Sequence, residues 1–376
     1  MNGQPAAGGR GSAGLYVHVP FCLTRCGYCD FNTYAGLDHL QSRYVKALSA
    51  EARMWAPEWS GVEFVSVFLG GGTTTAVPAS ALVKLLDHMR GALAIRESAE
   101  ITVEANPDTV DEGYLRVLRD AGVGRLSMGL QSFDPNVLGT LERIHTPEAA
   151  VAAFSAARHA GFDDVNLDLI YGADGETLES WRRTLERTIE LDPEHVSAYA
   201  LTIEPATALG RKVAAGLVAP PDPDLQADMY ALACETLGAA GYEHYEVSNW
   251  AKPGRRCLHN MGYWEGRPYL GLGAGAHSYR DGRRWWNVRP PQQYMKEIVA
   301  GHLPIGGEEI LSADERRMEC LLLGLRLADG VPTEWVDASK VKGFAADGLA
   351  TEREGRIALT DRGMLLANEL VLSLAD

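Results

Sequence analysis

The chain has 376 residues, 46% of them hydrophobic, 23% charged and 8% aromatic, with a formal net charge of −15. That profile suits a soluble globular chain with one large α/β domain and a smaller second one. The acidic balance argues against nucleic acid as a partner, because phosphate binding relies on clustered Lys and Arg.

The first fourteen residues, MNGQPAAGGRGSAG, lack the apolar core of a signal peptide and read as a flexible tail. No window approaches about 18 consecutive apolar residues, so no membrane span is expected and the cytoplasm is the expected compartment. From residue 15 to 241, short apolar runs alternate with helical patterns. Strands are expected at 15–19, 63–70, 100–106, 124–131, 165–172 and 195–202, with helices at 39–55, 79–93, 112–122, 148–161 and 178–191. Strand–helix repeats of this kind imply a parallel sheet covered by helices. An open partial barrel and a doubly wound sheet both satisfy the count. The polar residues favour the barrel: a cysteine cluster follows the first strand, GGGT the second, and Glu104, Gln131 and Asp168 sit at later strand ends. Barrel folds place their chemistry at the carboxyl ends of strands, where residues from many strands converge. The expected fold is therefore α/β, a partial (β/α)6 barrel over 15–241.

Past residue 242 the rhythm breaks. Residues 242–311 are rich in Gly, Trp and Tyr and read as a connecting region. Residues 312–376 run helix, short helix, hairpin and closing helix, which suggests a small winged-helix-like unit. That unit carries 8 Lys and Arg against 12 Asp and Glu, so DNA binding is not expected of it.

The run FCLTRCGYCDF places Cys22, Cys26 and Cys29 close together, while Cys234, Cys257 and Cys320 are scattered. This is no disulfide framework for a chain of this length. A structural zinc site wants four ligands, and plain buried or reactive cysteine is the other ordinary reading. A [4Fe–4S] cube held by three thiolates leaves one iron open to an exogenous ligand. Spacing favours iron–sulfur over zinc, because no nearby Cys or His completes a zinc set.

VHVPFCLTRCGYCDF, followed by LGGGTTT at 69–75, resembles the radical S-adenosylmethionine superfamily. The resemblance implies that the open iron chelates the amino and carboxylate groups of S-adenosyl-L-methionine. It further implies that an electron passed to the sulfonium yields a 5′-deoxyadenosyl radical. The segments YVHVPFC, FLGGGT, TVEANPDT, RLSMGLQSFD, LERIHT, NLDLIYG, CLHNMGYW and YLGLGAGAHSY resemble the oxygen-independent coproporphyrinogen III oxidases and their relatives. Carried over by position, Tyr16, Tyr28, Gly71, Gly72, Thr73, Glu104, Gln131, Arg143, Asp168 and Ala200 are expected to line the S-adenosylmethionine site. The chemistry suits those roles: Arg143 offers charge-assisted bonds to a carboxylate, and the acids and Gln131 accept from hydroxyls or an ammonium.

Two features separate branches of that family. The decarboxylating members resemble CxxxCxxCxC, whereas here Phe31 stands two residues beyond the third cysteine. The run His259-Asn260-Met261-Gly262-Tyr263-Trp264 matches HNxxYW, which resembles the haem-chaperone branch called HemW. That likeness implies haem held by His259, Asn260, Tyr263 and Trp264, with His259 as axial ligand and the aromatic rings as walls; Cys257 is the alternative ligand. It also implies delivery of haem to respiratory or other membrane proteins, an electron donor for the cluster, transient membrane association, and room for a homodimer. Oxidative decarboxylation of coproporphyrinogen III is the rival reading, followed by a radical methyltransferase or haem-cleaving enzyme. Small departures fall in loops: Ala173-Asp174 where relatives carry Leu-Pro, and Thr74 where Pro is usual.

Overall fold

The computed structural model describes residues 11–375; residues 1–10 of the expected tail lie outside them. Six strands run in chain order: β1 (Ser12–Val19), β2 (Glu63–Gly71), β3 (Ile95–Ala105), β4 (Arg125–Gln131), β5 (Val165–Tyr171) and β6 (His195–Ala200). They pair in parallel with sequential neighbours, β1-β2-β3-β4-β5-β6. A doubly wound sheet reverses its strand order at a switch point; this one never does, which fixes the partial barrel. The first strand starts at Ser12 with Ala13 fully buried, so residues 12–14 belong to the sheet rather than to the tail.

Strand alternation explains the layering. One face carries Leu15, Val17, Val67, Leu69, Val103, Leu126, Met128, Leu167 and Val196, all buried in the main core. Against it pack α1 (Gln41–Trp55), α2 (Ala79–Ala92), α3 (Glu112–Asp120), α4 (Pro147–His159), α5 (Leu178–Glu190) and α6 (Pro223–Ala239). Each fully buried aliphatic side chain contributes roughly 1.5–3 kcal/mol, so this layer is the main source of stability. Caps set the helix starts. The Asp111 carboxylate accepts from the Tyr114 N–H at 2.7 Å, Thr146 precedes Pro147, and Thr177 forms a capping box with Ser180.

The other strand face is polar, with Ser66, Glu104, Ser127, Asn166, Asp168 and His195 directed into the lumen. Buried polar groups must be paired, and here they pair with one another. Asn166 Nδ2 donates to Ser127 Oγ at 2.8 Å and Asp168 Oδ1 at 2.9 Å, and His195 lies between Asn166 and Tyr245 at 2.7 and 2.8 Å.

Residues 243–310 extend the same sheet on both sides. β7 (Glu243–Glu246) and β8 (Asn249–Ala251) continue it beyond β6, with β8 antiparallel to β6. On the other side β9 (Tyr269–Leu272) pairs in parallel with β1, and β10 (His277–Arg280), β11 (Arg283–Asn287) and β12 (Ile305–Ile310) follow antiparallel. Between the two extensions α7 (Leu258–Trp264) enters the barrel. The C-terminal part has a helix at Ala313–Gly324, a three-stranded sheet of Val331–Pro332, Arg356–Leu359 and Ala350–Arg353, and helices at Ala338–Ala346 and Ala367–Ala375. That is the winged-helix-like arrangement read from the sequence. No helix of the described residues is long and apolar enough to cross a membrane.

Candidate functional site

The cysteine loop leaves β1 and is tied down at several points. Phe21–Cys22 pairs in parallel with Tyr34–Ala35, and the Thr73 N–H donates to the Phe21 carbonyl at 2.7 Å. The Asn32 side chain donates to the carbonyls of Ala274 and Arg289, both at 2.9 Å. His18, unremarked in the sequence, holds the loop from below. Its Nε2 donates to the Asn32 carbonyl at 2.9 Å, which leaves Nδ1 to accept from the Tyr16 hydroxyl, also at 2.9 Å. Burial pushes the His18 imidazole down, so it stays neutral in this role. The three thiols are free; Cys22 is buried while Cys26 and Cys29 are half-buried. Burial pushes the Cys22 and Cys29 thiols up, a cost that metal coordination offsets by taking the thiolate. Arg143 brings positive charge to Cys26, with Nη1 3.5 Å from Sγ. Phe31 is 65% exposed at the rim of the loop.

The glycine run at the end of β2 is shaped by close approach. Gly71 has φ +115°, and a Cβ there would sit 2.4 Å from the His18 ring. A Cβ on Gly70 would lie 2.7 Å from the Glu104 carboxylate, and one on Gly72 2.7 Å from the Phe21 carbonyl. The Gly71 N–H donates to Glu104 Oε2 at 2.9 Å. Burial lifts the Glu104 carboxyl to about 7, the Asp168 charge adds to that rise, and the Gly71 N–H opposes it. Asp168 accepts from Ser127 and Asn166, both at 2.9 Å, and burial raises its carboxyl as well.

Arg143 is oriented by two acceptors, Asn106 Oδ1 at 3.0 Å and the Gly129 carbonyl at 2.9 Å. Asn106 in turn donates to Thr73 Oγ1 at 3.0 Å, so it couples the glycine turn to the arginine. Gln131 is held at φ +68°, sparsely populated for a side-chain-bearing residue, and such strain clusters at functional sites. Tyr28 packs against the cluster containing Ile170, Leu201 and Leu209, and Ala200 closes β6 at an exposed position. Sequence reasoning missed His18, Asn106, Ser127 and Asn166; each is a single polar residue whose role depends on cross-strand neighbours.

These residues fit an S-adenosylmethionine bound beside a cluster. Gln131 Oε1 and Arg143 Nε are buried without a partner, an acceptor and a donor suited to an ammonium or hydroxyl and to a carboxylate. The glycines form a cradle that any side chain would fill.

The HNxxYW run behaves differently. It forms α7, whose N-terminal N–H groups at Leu258 and His259 donate to the Glu100 carboxylate at 3.0 and 3.1 Å. His259 is buried in the lumen, with Nδ1 2.9 Å from Ser66 Oγ, Nε2 3.0 Å from the Tyr263 hydroxyl, and its ring stacked on Phe68. Burial pushes its imidazole down to about 3. Asn260 donates to Glu246 at 3.2 Å. Trp264 alone of the four points out of this network, packing beside Met261 and Leu327. The structure therefore does not gather His259, Asn260, Tyr263 and Trp264 on one open face. Cys257 is also buried, its Sγ 3.5 Å from Glu100.

Comparison with known proteins gives the family. Residues 16–188 match the model of the Radical SAM superfamily. The chain is 43% identical to the "Heme chaperone HemW" of Mycobacterium tuberculosis, over all of this chain and 96% of that protein. It is 34% identical to the protein of the same name from Bacillus subtilis, over 94% of this chain and 97% of that one. The structure of coproporphyrinogen III oxidase HemN from Escherichia coli, described as a radical SAM enzyme, superposes with a TM-score of 0.84. The identity there is 26%, over 97% of this chain and 90% of that one. The chain belongs to the radical SAM superfamily and, within it, to the HemW family.

Proposed function

We propose that this protein is a haem chaperone: it binds haem as cargo and hands it to haem-dependent membrane proteins of the respiratory type. The observation that carries the reading is identity at 43% along the whole chain to a protein named a haem chaperone. Phe31, at the position where decarboxylating relatives are expected to carry a further cysteine, supports it. A haem titration tests it. One equivalent of haem is expected to bind per chain and to move to an apo-acceptor of higher affinity; failure to bind haem would end this reading.

In this proposal Cys22, Cys26 and Cys29 hold a [4Fe–4S] cube. With S-adenosylmethionine bound, the cluster supplies one-electron chemistry at the sulfonium. Arg143, fixed by Asn106 and Gly129, binds the methionine carboxylate; Glu104, Gln131 and Asp168 accept from the amino N–H groups and the ribose hydroxyls; Tyr28 offers its face to the adenine.

A pH dependence follows. The iron-bound amino group and the ribose hydroxyls donate N–H and O–H, and a carboxylate accepts these better than a carboxylic acid does; the Glu104 carboxyl sits at about 7. Affinity for S-adenosylmethionine is therefore expected to rise between about pH 6 and about pH 8 as Glu104 ionises. Glu104→Gln is expected to weaken binding and flatten the profile in calorimetry; an unchanged slope would take Glu104 out of the amino-group site.

The second reading, oxidative decarboxylation of a porphyrinogen, is favoured by the likeness in fold to HemN, with its TM-score of 0.84. Product analysis separates the two.

A further inference from the structure

Three side chains with metal-binding atoms meet where the barrel joins the C-terminal part. Cys234 lies on α6, His244 on β7, and Asp361 opens a short helix, Asp361–Leu365. The Cys234 Sγ, one ring nitrogen of His244 and one Asp361 carboxylate oxygen all lie within 4.8 Å of one another. Sequence spacing hides the set, because Asp361 stands 117 positions beyond His244.

Each donor is held in place. The His244 ring stacks on Trp250, with centroids 4.4 Å apart and planes 10° from parallel, so its edge has a fixed direction. Its Nδ1 donates to Asp361 Oδ1 at 3.1 Å, and its Nε2 lies 3.4 Å from the Tyr230 hydroxyl. A histidine that ligates through one nitrogen usually anchors the other, and Tyr230 is placed as that anchor. The bond from His244 holds the Asp361 carboxyl below its ordinary value, so it is ionised at neutral pH. Burial, with the Asp361 charge behind it, pushes the Cys234 thiol up to about 12. A His–Asp hydrogen bond accounts for two of the three groups. It gives no reason for a half-buried thiol within reach of the same carboxylate.

Sulfur, nitrogen and oxygen donors in one place suit zinc rather than a hard cation such as magnesium or calcium. Zinc bonds of about 2.0–2.3 Å put tetrahedral donors roughly 3.3–3.8 Å apart. Asp361, with 62% of its side chain exposed, has room to close that difference and leaves a fourth position for water. We propose that Cys234, His244 and Asp361 bind one zinc ion, which ties the C-terminal part to the end of the barrel. On binding, a Zn–S bond replaces the S–H bond of Cys234, and that proton goes to solvent. The His244 proton moves to Nε2, where the Tyr230 hydroxyl accepts it, and Nδ1 takes the metal. No electrons move. The site uses none of the loop cysteines and does not depend on the haem reading.

The test dialyses the full-length, cluster-loaded protein against zinc chloride and measures iron and zinc together. One zinc per chain is expected in addition to about four irons, with Cys234 protected from alkylation and Cys320 not. Cys234→Ser and Asp361→Asn are each expected to weaken zinc binding by about a hundredfold or more, since losing merely the partner of a ligand costs about 10–100-fold. Tyr230→Phe, which removes only the positioning hydroxyl, should cost about tenfold. In chelator both ligand variants should melt with the unmodified protein, which excludes misfolding, and zinc should raise the melting temperature of the unmodified protein alone. Zinc uptake unaltered in Cys234→Ser and Asp361→Asn would overturn the site. Absence of zinc beyond the iron, or zinc that displaces iron and leaves Cys234 open to alkylation, would do the same.

Discussion

Replacing Cys22, Cys26 and Cys29 together by Ala is expected to remove the brown iron–sulfur chromophore completely, leaving far-UV circular dichroism unchanged. The unmodified protein, purified without oxygen, should hold about four irons and four sulfides per chain, since three thiolates support one cube. Cys234→Ala should keep that content. The fold survives the loss because the loop is pinned independently of its sulfurs, by the Phe21–Cys22 pairing, by Asn32 on two carbonyls, and by His18 beneath. Stoichiometric zinc in place of iron would contradict the assignment.

Gly71→Val is expected to be the most damaging single substitution in the site. Its φ of +115° is a conformation that β-branched residues avoid, and its Cβ would fall 2.4 Å from the His18 ring. The backbone term alone costs of order 1–3 kcal/mol, and repacking around a displaced imidazole costs of similar size. His18 cannot yield cheaply, because it links Tyr16 to the Asn32 carbonyl in the cysteine loop. We therefore expect a melting temperature several degrees lower and S-adenosylmethionine affinity reduced by about a hundredfold, about 2.7 kcal/mol. Calorimetry and a thermal melt read both, and a variant indistinguishable from the unmodified protein would show that the turn is not the cradle proposed.

The barrel was legible because short apolar runs recur between helical patterns, several of them opened by a capping Asp or Thr. The strand expected at 165–172 is found at Val165–Tyr171, and the helix expected at 178–191 at Leu178–Glu190. The start of β1 was not legible, because Ala13 and Gly14 look like tail. Gly14 is small for a tertiary reason: a Cβ there would sit 3.2 Å from the His259 ring, contributed by a helix more than two hundred residues later. The pairing of β9 with β1 is equally non-local, so a run that reads as a connection joins the sheet. Motif residues at strand ends were legible through their resemblance. Their supports were not, since Asn106 and Ser127 acquire meaning only when Arg143 and Asp168 stand beside them. The HNxxYW spacing has one consequence the sequence does not display: positions 259 and 263 are one helical turn apart, which sets the Tyr263 hydroxyl 3.0 Å from His259 Nε2.

The most direct test of the central claim is an anaerobic turnover of the cluster-loaded protein with S-adenosylmethionine, an electron donor and coproporphyrinogen III, beside a parallel incubation with haem. The account predicts haem bound at about one equivalent and recovered chemically unchanged, with no carbon dioxide released from the porphyrinogen. Sustained release of carbon dioxide by the unmodified protein would contradict it and establish the decarboxylase instead.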